Sequence, residues 1–487
     1  MTTKSAPLKR RAMDRQGPTI VSRLFSTQAG VVAAGILLGW FVSSAGALIG
    51  VAALGGLFFF LVSLKSIRPA ILISVSIMMI FGREEIYKYD IPFAGGGLKA
   101  SDVLLVVVLA SWLIRVLVFD RAVLRLPKFF CALVLVYLCV ATASAMGALA
   151  SGIYFKDALL ELRPLLQYLL IFPMIAEFDS QALRKSMWFL LGVSVFSSVR
   201  ILVNYWMGVG EVLLYGEGIR VVLLELGAYL PPVILGFTFS LFAIRPRLSL
   251  AIGLLNLMAL AVTFFRSAYL GLTAGLTFIF MVAEPAIKRI MVKLGVFLVS
   301  GAVILWVAHT VISPKAINPI ESVVTRLLSL REYKEDISSL HRLREWEAAT
   351  ALIERNPVWG NGLGTRVVFE SPMYDPDAEQ LGYLSHDIYM HNSYMWLLVK
   401  MGVIGLVSFL MLPLTAMWTA VRTQRFLADP ANRAVQLAMC GILAGNMVIS
   451  VFGPMFNIDN MTPINAFIFG SVFILAREAE NPWENEI

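Results

Sequence analysis

Runs of about 18 or more apolar residues recur along most of this sequence, each long enough to cross the hydrocarbon core of a bilayer. A backbone inside lipid has no water to bond, so such segments fold as helices that satisfy their own N–H and C=O groups. Composition agrees: 58% of the 487 residues are hydrophobic and 15% charged, with a mean hydropathy of +0.78. A soluble domain uses roughly half apolar and a quarter charged residues. The expected fold class is an all-α polytopic integral membrane protein of about 12–14 transmembrane helices with one large outer loop.

Spans are expected at about 30–45, 46–64, 68–82, 101–119, 129–151, 158–177, 185–207 and 223–244. The others fall at about 248–265, 267–284, 291–312, 394–420, 434–454 and 461–477. With the N-terminus inside, the inner connections carry Lys65 and Arg68, Arg121, Arg125 and Lys128, Arg184 and Lys185, and Arg245 and Arg247. Lys288, Arg289, Lys293, Arg422, Arg425 and Arg433 continue the series, as the positive-inside rule requires. Much of the net charge of +8 therefore belongs to short cytoplasmic loops, and nucleic acid is not an expected partner. Residues 1–28 read as a basic cytoplasmic tail and 29–247 as N-terminal transmembrane helices. A core comes next over 248–410, then C-terminal helices and a short cytoplasmic tail over 411–487. No repeat relates one half of the helices to the other.

One connection, residues 313–390, is far longer than the rest, and long loops are usually functional. Within it RLREWEAATALIERNP reads as an amphipathic helix ending before Pro357, with Trp346, Ala349 and Ile353 on one stripe. WGNGLGT comes after it as a glycine-rich turn.

Arginine in or beside a span costs roughly 2.5–3.5 kcal/mol at a helix centre. Several lie at outer ends, where the positive-inside bias gives no reason for them. Arg266 sits in TFFRSAYLGL, Arg163 in ALLELRPLLQYLL and Arg220 in GEGIRVVLLEL, while Arg342 and Arg344 lie at the start of the amphipathic helix. Each alone is as well explained by snorkelling to headgroups. Together they suit an anionic ligand such as a diphosphate, which guanidinium groups bind with paired, charge-assisted hydrogen bonds.

All four histidines, His309, His341, His386 and His391, fall between residues 309 and 391, in this loop or directly beside it. His391 directly precedes the apolar run NSYMWLLVKMGVIGLVSFL, so its ring is expected at the outer water–lipid boundary, where imidazole can accept a proton. Asn392 reads as a helix cap, and Tyr394 and Trp396 as an aromatic belt. Asp375 and Asp377 in YDPDAEQ have metal-ligand spacing but read as a solvated turn, so no metal or cofactor is expected. Cys131, Cys139 and Cys440 lie in apolar helices and read as buried fillers.

From TFFRSAYLGL through HRLREWEAATALIERNPVWGNGLGT to HNSYMWLLVKMGVIGLVSFL, the order and spacing resemble the O-antigen ligase and polymerase family of WaaL- and Wzy-like membrane glycosyltransferases. That family pairs a serine–arginine turn, an R-x-x-x-W helix, a glycine turn and an HN-x-Y entry to a helix. Here the arginine precedes the serine, at Arg266–Ser267.

The resemblance implies a metal-independent, inverting glycosyltransferase of the bacterial inner membrane, working at its periplasmic face and making the long loop periplasmic. Its donor would be an undecaprenyl diphosphate-linked oligosaccharide, and its acceptor another glycan or lipid A–core. The product would be O-antigen, lipopolysaccharide or exopolysaccharide of the cell envelope, with a chain-length regulator as a further partner. On that reading His391 is the catalytic base, and Arg266, Arg220, Arg163 and Arg342 hold the diphosphate. Asn392, Tyr394 and Trp346 would support them. The rival reading, a polysaccharide flippase or exporter, would show charges lining a central cavity and some repeat symmetry.

Overall fold

The computed structural model describes residues 56, 59–80, 91–93, 96–119, 126–207, 230–263, 265–312, 337–375 and 380–480. Contacts divide the chain at residue 61, and the larger unit is Val62–Ile487.

The described residues of this larger unit are mostly helical. Helices α1 (Ile67–Ile80), α2 (Ala100–Ile114) and α3 (Lys128–Ala150) come first, with a short hairpin of β1 (Ile91–Phe93) and β2 (Gly96–Leu98) before α2. Next are α4 (Phe155–Leu166) and α5 (Ile171–Glu177), joined by a 3-10 turn, and α6 (Ser180–Met207). After them come α7 (Leu230–Leu241), α8 (Pro246–Ala261), α9 (Arg266–Val282) and α10 (Pro285–Ile312). Each span expected from residue 68 onward has its helix. The two expected before it, and the basic tail, lie mostly outside the described residues.

Among the described residues five helical stretches are long and apolar enough to cross a membrane: Ser101–Val118, Lys128–Ala150, Phe155–Glu177, Ser180–Met207 and Ser393–Phe426. Helices α1, α7, α8 and α9 are apolar but shorter.

The long connection is not structureless. Its described part holds α11 (Ile337–Arg355) and an antiparallel hairpin of β3 (Val367–Asp375) and β4 (Gln380–Asp387). The helix was expected; the hairpin was not, because its strands lack a clean apolar–polar alternation. Asp375 ends β3 opposite Gln380, and Asp377 lies outside the described residues. The chain then runs through α12 (Ser393–Thr423), α13 (Pro430–Ile449) and α14 (Thr462–Glu480).

Helices α9 and α13 pack antiparallel through small residues. A Cβ on Gly275 would lie 2.6 Å from the Gly441 carbonyl, and one on Gly445 2.6 Å from that of Gly271. Paired small-xxx-small faces of this kind let helix backbones meet where lipid offers no hydrophobic drive. Elsewhere Phe130, Tyr137, Tyr168, Phe409, Phe456 and Phe469 form a contiguous aromatic core. The Tyr168 hydroxyl donates to Phe456 O at 2.9 Å. Cys131 and Cys440 are buried as expected, but Cys139 is exposed, on a face of α3 that no neighbouring helix covers among the described residues.

Helix ends assigned to one side of the membrane are bonded to one another. Arg68 pairs with Asp179 at 2.9 Å, Arg433 with Glu284 at 3.3 Å, and Arg184 with Asp429. Arg477 donates to the carbonyls of Ile175 and Phe178. These ties gather the starts of α1, α6 and α13 with the ends of α5, α9 and α14. The opposite end of the bundle holds the start of α12 and the glycine turn.

Candidate functional site

Asn392 starts α12, its side chain accepting from the N–H groups of Tyr394 at 2.9 Å and Met395 at 3.1 Å. That satisfies two of the donors a helix start leaves open. Ser393 ties the same end to the connection between α13 and α14. Its N–H donates to Ser450 O at 2.8 Å and its hydroxyl to Asn457 Oδ1 at 3.1 Å. His391 is thus anchored one residue ahead of a doubly held helix start.

The His391 backbone N–H lies 3.1 Å from Glu345 Oε2, and its ring Nδ1 3.2 Å from Oε1 of the same carboxylate. Glu345 is fully buried, whereas 43% of the His391 side chain is exposed. An acceptor on Nδ1 selects the tautomer that carries its proton there, which leaves Nε2 with a free lone pair. Glu345 therefore orients an imidazole whose other nitrogen can take a proton.

One turn before Glu345 on α11 lies His341, buried, with its ring perpendicular to that of His391 at a centroid distance of 5.4 Å. Its Nδ1 lies 2.8 Å from the Ser371 hydroxyl, and Phe369 packs edge-on against it. Burial, and then the neighbouring His391, hold His341 below the ordinary imidazole range. His341, Glu345 and His391 each offer a metal-ligating atom, all within 4.8 Å of one another.

Beneath this surface group lies a buried frame. Glu161 on α4 and Lys400 on α12 form an ion pair of 2.9 Å, both fully buried. Glu161 also accepts from Trp396 Nε1 at 2.7 Å and from the Gly364 N–H, while Lys400 donates to Thr365 O. Gly362 N–H donates to Lys400 O at 3.0 Å, and Asn361 N–H to Val399 O at 2.7 Å.

These bonds dock the turn WGNGLGT against a break in α12, where Gly402 has φ +62° and the helical ladder is interrupted. The N–H groups freed there are taken by carbonyls before the turn: Val403 donates to Pro357 at 2.9 Å and Ile404 to Val358 at 3.3 Å. A Cβ on Gly360, itself at φ +73°, would lie 2.5 Å from the Lys400 carbonyl carbon. The glycine turn is thus a clamp holding α11 and the β3–β4 hairpin to α12 and α4, with Arg366 completing it through Asp157 at 2.9 Å. Its glycines meet protein at close range and serve packing, not the cradling of a ligand.

The arginines expected to hold a diphosphate fall in different settings. Arg163 on α4 is largely buried and pairs with Asp102 at 3.1 Å. Lys99, just before α2, pairs with Asp459 in the same connection that holds Asn457. Its backbone N–H also donates to Asp102, at 3.0 Å. Arg163, Lys99 and the His391 helix start are therefore linked through residues 457–459. Arg266 is the first residue of α9 and half-buried. Since α9 runs antiparallel to α13, whose last turn meets Gly271 and whose cap Ser450 bonds Ser393, Arg266 lies at this same end. Arg342 is half-buried on α11 and acts electrostatically on His341. Arg220 lies outside the described residues.

The supporting residues divide. Tyr394 donates to Met447 O at 2.7 Å and Asn392 caps, so both hold structure. Trp396 is not part of an aromatic belt: it is 1% exposed and bonded to Glu161, because the frame needs a buried donor. Trp346 on α11 keeps its buried Nε1 without a hydrogen-bond partner among the described residues. His386 on β4 is exposed and apart from the cluster. Sequence reasoning missed Glu345, Lys99, Asp102, Asp459, Glu161 and Lys400. Only Glu345 had a signal, the i, i+4 spacing from His341 that puts both on one helix face.

Residues 251–410 match the family model described as O-antigen ligase, Wzy_C. The match runs from α8 through α9, α11 and the hairpin to the middle of α12, and so contains Arg266, His341, Glu345, the clamp and His391. No curated protein matches the chain. A stretch that matches the O-antigen ligase model, set among helices long and apolar enough to cross a membrane, supports a multi-pass membrane protein.

Proposed function

This chain carries an O-antigen ligase domain at residues 251–410, and from that premise we propose a metal-independent, inverting glycosyltransferase of the bacterial inner membrane. It moves a glycan from undecaprenyl diphosphate to an acceptor hydroxyl at the periplasmic face. The acceptor is either a second lipid-linked repeat, as in an O-antigen or exopolysaccharide polymerase, or lipid A–core, as in a ligase. Residues 248–410 are its working core, the bundle end with Arg68, Arg184 and Arg433 faces the cytoplasm, and both termini lie there.

In this reading His391 Nε2 removes the proton of the acceptor hydroxyl as its oxygen attacks the anomeric carbon. The bond from that carbon to the diphosphate oxygen breaks with inversion, and the lipid diphosphate leaves. Buried Glu345 holds the ring and stabilises the imidazolium that forms, as the carboxylate does in a Ser-His-Asp triad. Negative charge growing on the leaving group calls for fixed positive charge, which Arg266, Arg220 and Arg342 would supply. Arg163 is the weakest of the four, its charge already met by Asp102. Both substrates are amphiphiles, and a site where α12 leaves the loop lets their tails remain in lipid.

The single observation that carries this reading is the half-exposed His391 ring held by a fully buried carboxylate inside the matched domain. The test is to incubate the purified protein with its lipid-linked repeat alone and resolve the products by size. A ladder of longer lipid-linked glycans makes it a polymerase. Transfer only once lipid A–core is added makes it a ligase. Donor moved across a bilayer unchanged, with no product under either condition, would replace this reading with a flippase or exporter.

A further inference from the structure

His341, Glu345 and His391 have a property that proton transfer does not use. Two imidazoles and one carboxylate are the donor set of many open zinc sites, in which three protein ligands leave a fourth position free. Around a tetrahedral zinc with bonds of about 2.0–2.1 Å, ligand atoms sit about 3.4 Å apart. Glu345 and His391 already meet that spacing at 3.2 Å, and all three ligand atoms lie within 4.8 Å. Closing the site needs a shift on the order of 1 Å in the two rings.

The surroundings favour a cation as well. Ser371 lies on Nδ1 of His341, the outer contact that fixes the ring of a metal-bound histidine. Asp387 adds negative charge close enough to act on the same ring, against the opposing charge of Arg342. Two ligands are buried and the third is half-exposed, so an ion would enter past His391.

We infer that His341, Glu345 and His391 form a reversible site for zinc or a similar borderline-soft divalent cation, and that its occupancy switches transfer off. The site inhibits because the ion takes a lone pair of His391 and draws Glu345 away from its N–H groups. The inhibition rests on His391 being the base; the binding does not. His341 has no part in the proton transfer itself, which explains why a second buried histidine stands beside the base without touching its Glu345 partner through Nδ1.

The experiment uses the full chain, stripped with chelator, and zinc alone as the probe. Competition with a chromogenic chelator should show a single tight equivalent, weakened by at least about tenfold in His341→Ala and about tenfold in Ser371→Ala. Ser371→Ala removes the contact to His341 and one acceptor for the Met373 N–H; it should leave zinc-free transfer and the unfolding midpoint unchanged, so a folding defect cannot mimic the result. Transfer should fall in step with occupancy and return with chelator, and Ser371→Ala should need correspondingly more zinc. No tight equivalent, or one indifferent to His341→Ala, would overturn the site. Bound zinc that leaves transfer unchanged or speeds it would overturn the inhibition. A tight equivalent lost in His341→Ala, in a protein with no transfer under any condition, would uphold the site and count against the transferase reading.

Discussion

The buried carboxylate of Glu345 receives both the backbone N–H and the ring Nδ1 of His391, across 46 residues of sequence. The bond positions the ring and compensates the charge it acquires, and each role has its own experimental signature.

Glu345→Gln keeps an acceptor of the same shape but removes the charge. Transfer should drop by about tenfold or more, short of the roughly 10²–10⁴-fold that loss of a general base costs. Initial rates at saturating acceptor, with thermal unfolding as the check on folding, decide it. An unchanged rate would leave Glu345 with a structural role only.

The Glu161–Lys400 pair concerns stability. Removing one member of a fully buried pair strands a charge at a cost of about 3–5 kcal/mol, while replacing both with uncharged residues restores much of the loss. Lys400→Met should therefore lower the unfolding midpoint sharply, and Glu161→Gln with Lys400→Met should recover part of it. A double variant less stable than the single one would show that the pair is not coupled as described.

The clamp makes a graded prediction from three glycines at positive φ. Gly360 and Gly402 face backbone at close range, whereas the nearest atom to a Cβ on Gly382 is Ser371 O at 3.5 Å. Gly382→Ala should cost only the left-handed strain of about 1–2 kcal/mol. Gly360→Ala and Gly402→Ala should cost more, and should also lower transfer by letting α11 drift from α12. Equal midpoints for all three variants would contradict the clamp.

Arg163 and Arg266 should behave differently when each is changed to Ala. Arg163 is buried against Asp102, so its loss should appear chiefly as a lower unfolding midpoint. Arg266→Ala should keep its midpoint and lose transfer. Monodisperse samples of both variants, assayed for both quantities, separate the two, and the reverse pattern would exchange their roles.

Hydropathy located the helices because each apolar run speaks for itself, and the basic loops set an expectation for their sides. The contacts between Arg68 and Asp179, and between Arg433 and Glu284, join ends assigned to one face. His391 was legible for the same local reason: a histidine at the mouth of an apolar run. Its partner was not, because Glu345 is one of several glutamates on α11 and only packing selects it. Glu161 and Lys400 are over two hundred residues apart, and nothing local to either one names its partner. The glycine turn was recognised as a turn, yet its purpose depends on Gly402, which in MGVIG resembles an ordinary helix-packing glycine.

The measurement that goes most directly to the role of His391 as the base is release of undecaprenyl diphosphate by His391→Ala, under single-turnover conditions, with donor and acceptor bound. The expected result is a fall of about 10²–10⁴-fold in the rate with the unfolding midpoint unchanged. Release at the wild-type rate from a folded His391→Ala protein would contradict it.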